Sequence, residues 1–188
     1  MRVVAGELRG RRIESPPESP TRGKSEPVTR PTTDKVREAV FNALGSMEVL
    51  DGARVLDLFA GTGAMGIEAL SRGAAHCTFV ERDRVALEVL RRNVAQLGLT
   101  DCSRVVSADA SSASQYGPVD LVIADPPYGF TRWSALLAGL EASVVVLESG
   151  EPIGEVSGWQ TVREKRYGRT YVAFLIPAHG QSDTVDGA

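Results

Sequence analysis

Cysteine and histidine are scarce in this chain. Of 188 residues, two are cysteines (Cys77 and Cys102) and two are histidines (His76 and His179). So few nitrogen and sulfur ligands argue against a zinc site, and two cysteines cannot frame a disulfide scaffold. No metal is expected. Nor is there an apolar run of ~18 residues, the length a helix needs to cross a bilayer. The N-terminus, MRVVAGELRGRR, lacks the apolar stretch of a signal peptide. These absences predict a cytoplasmic protein with no membrane contact.

A positive surplus is missing as well. Net charge is −3, which argues against indiscriminate binding of nucleic acid. The average hides an asymmetry. Residues 1–37 hold nine Lys/Arg against five Asp/Glu, and residues 38–188 hold twelve against nineteen. A basic arm on an acidic body would grip a polyanion locally, although a merely solvated arm has the same composition.

What is present is enough apolar residue for one domain: 43% hydrophobic and 24% charged. RVVAGELRGRRI, residues 2–13, reads as a short hairpin around Gly6 to Gly10. Residues 15–31 contain five prolines, so a flexible connector is expected there. The division predicted is therefore an arm and connector over 1–31, which form no core of their own, a domain over 32–177, and a disordered tail over 178–188. In TTDKVREAVFNALGS the spacing of Val36, Ala39, Val40, Ala43 and Leu44 predicts a helix, capped by Thr32 or Thr33 and stopped by Gly45.

From residue 54 strands and helices alternate: RVLDLF, AMGIEALSRG, HCTFVE, DRVALEVLRRNVAQLG, RVVSA, VDLVIAD, TRWSALLAGL and SVVVLES. Unbroken apolar strands between helices predict an α/β fold with a mostly parallel sheet, buried on both faces. TVREKR and TYVAFLI, separated by a tight turn at Tyr167–Arg169, predict an antiparallel hairpin.

DLFAGTGAMG follows the first strand, and Gly61, Gly63 and Gly66 spell G-x-G-x-x-G. Glu81 ends the next strand, twenty residues beyond Gly61, where an acid would accept ribose hydroxyls. A glycine turn without a ligand is the plain alternative. Asp57, inside the turn, would repel the pyrophosphate of NAD but suit the amino group of S-adenosylmethionine. Asp109, past the third strand, could meet an adenine amine.

The fourth strand ends in VIADPPYGF, residues 122–130. Asp125 lies where the strand leaves the core. Pro126 and Pro127 offer stiff backbone that accepts hydrogen bonds but cannot donate them, and Tyr128 adds a flat ring. That describes a pocket for a planar group carrying N–H donors; a proline-stiffened loop with a solvated acid is the alternative. Neither cysteine lies near this loop, so a thiol nucleophile is not expected.

Together, D-x-x-x-G-x-G, Glu81, Asp109 and D-P-P-Y resemble the class I S-adenosylmethionine-dependent methyltransferases acting on exocyclic amines. More narrowly, RVVAGELRGRRI, RPTTDKVREAVFN, DLFAGTGAMGIEALSRGA and DPPY, in this order, resemble the RsmD family. These are bacterial methyltransferases acting on the N2 amine of a guanine in 16S ribosomal RNA. The resemblance covers residues 2–176, and residues 15–29 depart from it in being longer and richer in proline. It implies a Rossmann-like, seven-stranded sheet ending in an antiparallel hairpin. It further implies that Asp57, Ala60, Gly61, Thr62 and Gly63 hold the methionine end of the cofactor. Glu81 would hold its ribose, Asp109 and Ala110 its adenine, and Arg82 would also contact the cofactor. Asp125, also beside the cofactor, would hold the target base together with Pro126, Pro127 and Tyr128.

The expected partner is 16S rRNA or the assembling small subunit, and a monomer is expected. Arg9, Arg11 and Arg12 are the first choices for phosphate contact, followed by Arg30, Lys35, Arg37, Arg166 and Arg169. A solvated helix face or a guarded hairpin edge explains the later ones equally well. The open alternatives are a methyltransferase of adenine N6 or of a protein glutamine, an NAD-binding oxidoreductase, and a nucleotide-binding regulator without chemistry.

Overall fold

The computed structural model describes residues 1–16 and 34–178. Arg30, the expected caps Thr32 and Thr33, and the tail from residue 179 lie outside them. The order of elements is α1 (Asp34–Ser46), β1 (Arg54–Leu58), α2 (Ala64–Ser71), β2 (His76–Glu81), α3 (Arg84–Gln96), β3 (Ser103–Ser107), β4 (Val119–Ala124), α4 (Trp133–Leu137), β5 (Ala142–Ser149), β6 (Trp159–Tyr167) and β7 (Thr170–Pro177). A 3-10 segment, Ala110–Tyr116, fills the crossover from β3 to β4.

The seven strands form one sheet in the order β3-β2-β1-β4-β5-β7-β6. β1 to β5 run parallel, and β7 inserts antiparallel between β5 and β6. Alternate residues point to opposite faces. Val55, Phe79, Leu121, Ile123 and Val146 pack under α1, α2 and α3. Leu56, Leu58, Val80, Val122 and Leu147 pack under the 3-10 segment and α4. The central strands β1, β4 and β5 are buried on both faces, which is why they read as nearly continuous apolar runs. The chain moves outward from β1 to β3 and then returns to β4 on the other side of β1. That reversal opens a crevice at the carboxyl ends of β1 and β4.

Two helix ends differ from the sequence reading. α1 runs through Gly45, and Glu48 takes the left-handed position with φ 57° while Val49 N–H closes back on the Leu44 carbonyl. The stop therefore falls three residues later, in a Schellman-type closure. α4 is only five residues long, because Gly139 turns left-handed at φ 69° directly behind it.

The largest correction concerns the arm. Residues 2–13 do form a hairpin, with Arg2 bridging Arg12 and Val3 N–H donating to the Arg11 carbonyl at 3.0 Å. It is not a separate arm. Val3 and Ile13 are buried in the core beneath α2 and α3. Val4 and Ala5 N–H donate to the Glu68 carboxylate at 2.8 and 3.0 Å. Leu8 N–H donates to Ser71 Oγ at 3.0 Å, and Glu7 N–H to the Ser71 carbonyl at 2.8 Å. Gly6 lies so close to α2 that a Cβ there would meet the Ser71 carbonyl at 1.7 Å, a fit open only to glycine.

Arg37 is corrected with it. Its guanidinium is wholly buried, donates to Asp34 Oδ1 at 2.9 Å and to the Arg2 carbonyl, and faces Glu68 at 3.4 Å. It holds the hairpin down and cannot reach RNA.

Candidate active site

The turn after β1 begins with a bulky residue in an unfavourable place: Phe59 has φ 59°, a left-handed conformation that costs a β-carbon. Gly61 and Gly63 come next at φ 55° and 83°. The three motif glycines have separate duties. A Cβ on Gly61 would meet nothing nearer than the Phe59 carbonyl at 3.9 Å, so its open side can take a ligand against bare backbone. A Cβ on Gly63 would strike Leu90 Cδ1 at 2.4 Å, and one on Gly66 would strike the Phe79 ring at 2.3 Å and Cys77 Sγ at 2.5 Å. Those two glycines let α2 settle onto β2 and α3. Ala60 is buried, and its N–H donates to the Val80 carbonyl at 3.1 Å.

Thr62 contributes its carbonyl to an unforeseen partner. Asn93 on α3 donates to Thr62 O at 2.9 Å and to Glu14 O at 3.1 Å, and accepts from Glu14 N–H at 2.8 Å. A fully buried amide thus ties the glycine turn to the N-terminal hairpin. The sequence did carry a signal: Asn93 lies inside the apolar stripe of α3, beside Leu90 and Val94, where a polar residue needs partners.

Asp57 is only 3% exposed, and its carboxylate accepts Gly66 N–H at 2.9 Å. It braces the start of α2, a position one step behind the one the sequence suggested. Burial pushes its pKa up to about 7, and the carboxylates of Asp125 and Glu81 push in the same direction. Folding therefore favours the protonated acid. Stability should fall as pH rises from about 4, where the unfolded acid ionises, to about 7, and then level off. The matching expectation is that Asp57→Asn gains on the wild type across that window, read as urea midpoints at several pH values. A difference that did not change with pH would show that Asp57 is ionised throughout.

Glu81 is half-buried at the end of β2. One carboxylate oxygen accepts Gly61 N–H at 2.8 Å, and the other accepts the N–H groups of Arg82 and Asp83 at 2.7 Å each. Arg82 is exposed and donates to Asp109 Oδ2 at 2.9 Å. Asp109 caps the 3-10 segment through Ser111 N–H at 3.0 Å. That N–H, the Ser111 hydroxyl and then Arg82 hold its carboxyl below the usual value. Ala110 is buried beside it.

After β4 the chain leaves the core as expected. Asp125 and Pro126 are partly buried, Pro127 is exposed, and Tyr128 is 50% exposed. The Tyr128 ring lies over Gly150, where a Cβ would come within 2.9 Å of it. Phe130 packs edge-on to Phe59 at 5.5 Å and to Trp133 at 4.8 Å, joining the glycine turn to this loop. A cavity of about 580 Å³ opens between this loop and the turn after β5, lined by Tyr128, Phe130, Trp133, Glu151, Ile153 and Arg169 among others. The sequence reading missed most of this wall, because Gly150 to Ile153 come from a separate turn after β5. A second cavity, about 440 Å³, sits at the other end of the sheet, with Glu141 as its one charged lining residue.

Of the remaining basic residues, Arg9, Arg11, Arg12, Lys35, Arg166 and Arg169 are exposed. Arg166 stacks over Tyr171 at 5.4 Å and donates to the Gly168 carbonyl at 2.8 Å. Cys77 is buried, and burial pushes its thiol well above the ordinary value, so it is no nucleophile. Among the described residues no group of side chains could hold a metal, and no helix is long and apolar enough to cross a membrane.

The residues present fit S-adenosylmethionine. Adjacent strands β2, β1 and β4 deliver Glu81, Asp57 and Asp125 close enough to raise the pKa of the buried one. An acidic cluster of this kind suits an ammonium and a sulfonium and would repel a pyrophosphate. Ribose hydroxyls and an adenine amine are donors, and Glu81 and Asp109 are acceptors.

Comparison with known proteins agrees. The family described as Conserved hypothetical protein 95 matches residues 1–176. The chain is 36% identical to the ribosomal RNA small subunit methyltransferase D of Escherichia coli, covering 97% of this chain and 93% of that one. It is 37% identical to YlbH of Bacillus subtilis, a candidate rRNA methyltransferase, covering 92% and 97%. The solved structure of yhhF, a candidate methyltransferase from Escherichia coli, superposes with a TM-score of 0.77 at 34% identity, covering 94% and 97%.

Proposed function

The chain belongs to the Conserved hypothetical protein 95 family, in which the RsmD enzymes fall, and on that premise we propose that this rRNA methyltransferase acts on the exocyclic N2 amine of a guanine in 16S rRNA. The observation that carries the reading is the meeting of Glu81, Asp57 and Asp125 at the switch point, with the D-P-P-Y loop running from Asp125 to the aromatic cavity that Tyr128 lines. S-adenosylmethionine, when bound, supplies an electrophilic methyl group.

The protein's own part is positioning. An exocyclic amine is a poor nucleophile because its lone pair is delocalised into the ring. The Asp125 carboxylate and the Pro126 carbonyl would accept its two N–H groups and favour a pyramidal nitrogen. The methylated nitrogen is an acidic ammonium, so its surplus proton passes to Asp125 or to water without a strong base. Tyr128 would stack on the extruded base, and stacking is worth ~1–3 kcal/mol. That offsets part of the few kcal/mol needed to unstack it. Holding acceptor and donor aligned supplies more, of order 7–11 kcal/mol. Asp57 acts at one remove by fixing Gly66 and the start of α2. Arg9, Arg11, Arg12, Lys35 and Arg166 are proposed to contact RNA phosphates.

Glu81 would accept the ribose hydroxyls on the carboxylate that now spans Gly61, Arg82 and Asp83. Glu81→Ala should therefore weaken S-adenosylmethionine binding by about 1.5–3 kcal/mol in titration calorimetry. Unchanged affinity in a folded variant would move the ribose elsewhere.

The acceptor is tested by transfer of labelled methyl to ribosomal RNA, naked and assembled into small subunits, with digestion to nucleosides afterwards. N2-methylguanosine is expected. Label in N6-methyladenosine would overturn the base, and label in protein would overturn the RNA.

A further inference from the structure

We propose that Glu151 and Arg169 read the two edges of the target guanine, so that the cavity beside Tyr128 selects guanine among purines. This rests on the methyltransferase reading above. The cavity is built from three separate places: the loop after β4, the turn after β5, and the β6–β7 turn. Because β7 runs antiparallel, with Tyr171 paired to Ser149, the β6–β7 turn lies at the same sheet end as the D-P-P-Y loop. That brings Arg169 into the wall with Tyr128 although they are far apart in sequence.

The walls are aromatic and apolar: Tyr128 and Phe130, with Trp133 and Ile153 buried behind them. Against that lining stand one carboxylate and one guanidinium. Both side chains are exposed, and among the described residues neither makes an ion pair or a side-chain hydrogen bond. A flat aromatic slot with one acid and one base calls for a planar ligand with donors on one edge and acceptors on another. Guanine is such a ligand: N1–H is a donor, and O6 and N7 are acceptors that a guanidinium can take as a pair. Adenine presents the opposite pattern on that edge, an acceptor at N1 and a donor at N6. With N2 given to Asp125, N1–H faces Glu151, and O6 with N7 faces Arg169.

The test uses ribosomal RNA, ligated so that the methylated guanine is replaced by 2,6-diaminopurine or by 7-deazaguanine. Diaminopurine keeps the N2 amine but loses N1–H and O6, while 7-deazaguanine loses only N7. The wild type should methylate diaminopurine with kcat/KM lower by about tenfold to a hundredfold. Glu151→Gln, whose amide can donate to N1 of diaminopurine, should shrink that gap at least severalfold. Arg169→Gln should lower turnover on guanine and erase the penalty for 7-deazaguanine.

Two results would overturn the inference. One is a wild type that treats guanine and diaminopurine alike. The other is variants that keep full discrimination. An Arg169→Gln loss equal for guanine and 7-deazaguanine, with a salt slope lower by about one, would make Arg169 a phosphate contact instead. Failure of the wild type to methylate guanine in any ribosomal RNA would sink the methyltransferase reading, a separate result.

Discussion

Asp125→Ala should abolish methyl transfer while leaving the protein folded. Loss of one preorganised hydrogen-bonding group at a reacting centre commonly costs about 10²–10³-fold in kcat. Asp125 sits at the end of β4, partly buried, where the strand leaves the core and Pro126 and Pro127 stiffen the loop. The chain around it is held by β1 and β5 on either side, so removing one carboxylate should not loosen the strand. Single-turnover rates with saturating S-adenosylmethionine isolate the step, and circular dichroism reports the fold. Tyr128→Ala should be severe on the same assay and Tyr128→Phe mild, because in the proposed complex the ring rather than the hydroxyl would face the base. If Tyr128→Ala kept near-normal turnover, the stacking role would be wrong.

The second large effect is on stability. Glu68→Ala should cost about 3–5 kcal/mol, since it takes one of two carboxylates from the buried Arg37 guanidinium and leaves the largely buried Arg72 without its ion pair. Glu68 is fully buried on α2, accepts from Val4 and Ala5 N–H, pairs with Arg72 at 2.7 Å and faces Arg37 at 3.4 Å. Losing it strips Val4 N–H, Ala5 N–H and Arg72 Nε of their partner and leaves Arg37 to Asp34, against a total stability of order 5–15 kcal/mol for most domains. Urea unfolding of both proteins gives the difference directly. A loss under about 1 kcal/mol would mean that water reaches Arg37 once the carboxylate is gone. The same geometry reverses an expectation drawn from composition. Deleting the hairpin would remove Val3 and Ile13 from the core and uncover the Glu68 network, so the truncated body should unfold more readily, whatever happens to its RNA affinity.

The sheet was legible because its signal is repeated. The inner parallel strands are mostly apolar runs, and the run His76–Glu81 coincides with β2 to the residue. The glycine turn and the D-P-P-Y loop were legible because their chemistry is local: an unusual backbone and a few side chains within ten residues. Three things were not. The fate of Arg37 depended on Glu68, thirty-one positions away, and both charges look solvated when read along a helix. The brace that Asp57 gives to Gly66 depended on how far it sits inside β1, where one carboxylate oxygen takes the nearest N–H. The far wall of the cavity depended on the order of β5, β7 and β6, which brings Arg169 next to Tyr128. Each is a contact between segments that no local pattern announces.

The seating of the hairpin also sets a timetable. Its hydrogen bonds to Glu68, Ser71, Asn93 and Gln96 span 63 to 85 residues of sequence. During translation residues 1–16 emerge long before the helices that receive them. At about 5–20 residues per second, a span of 63 to 85 residues is a wait of roughly 3–17 s. Throughout it Val3 and Ile13 have no core to enter, and Glu68 cannot be satisfied until the hairpin returns. Docking is therefore a late, long-range closure, and such closures slow folding. On a ribosome, a nascent chain halted before Asn93 should leave the hairpin open to protease, and one halted well beyond Gln96 should protect it.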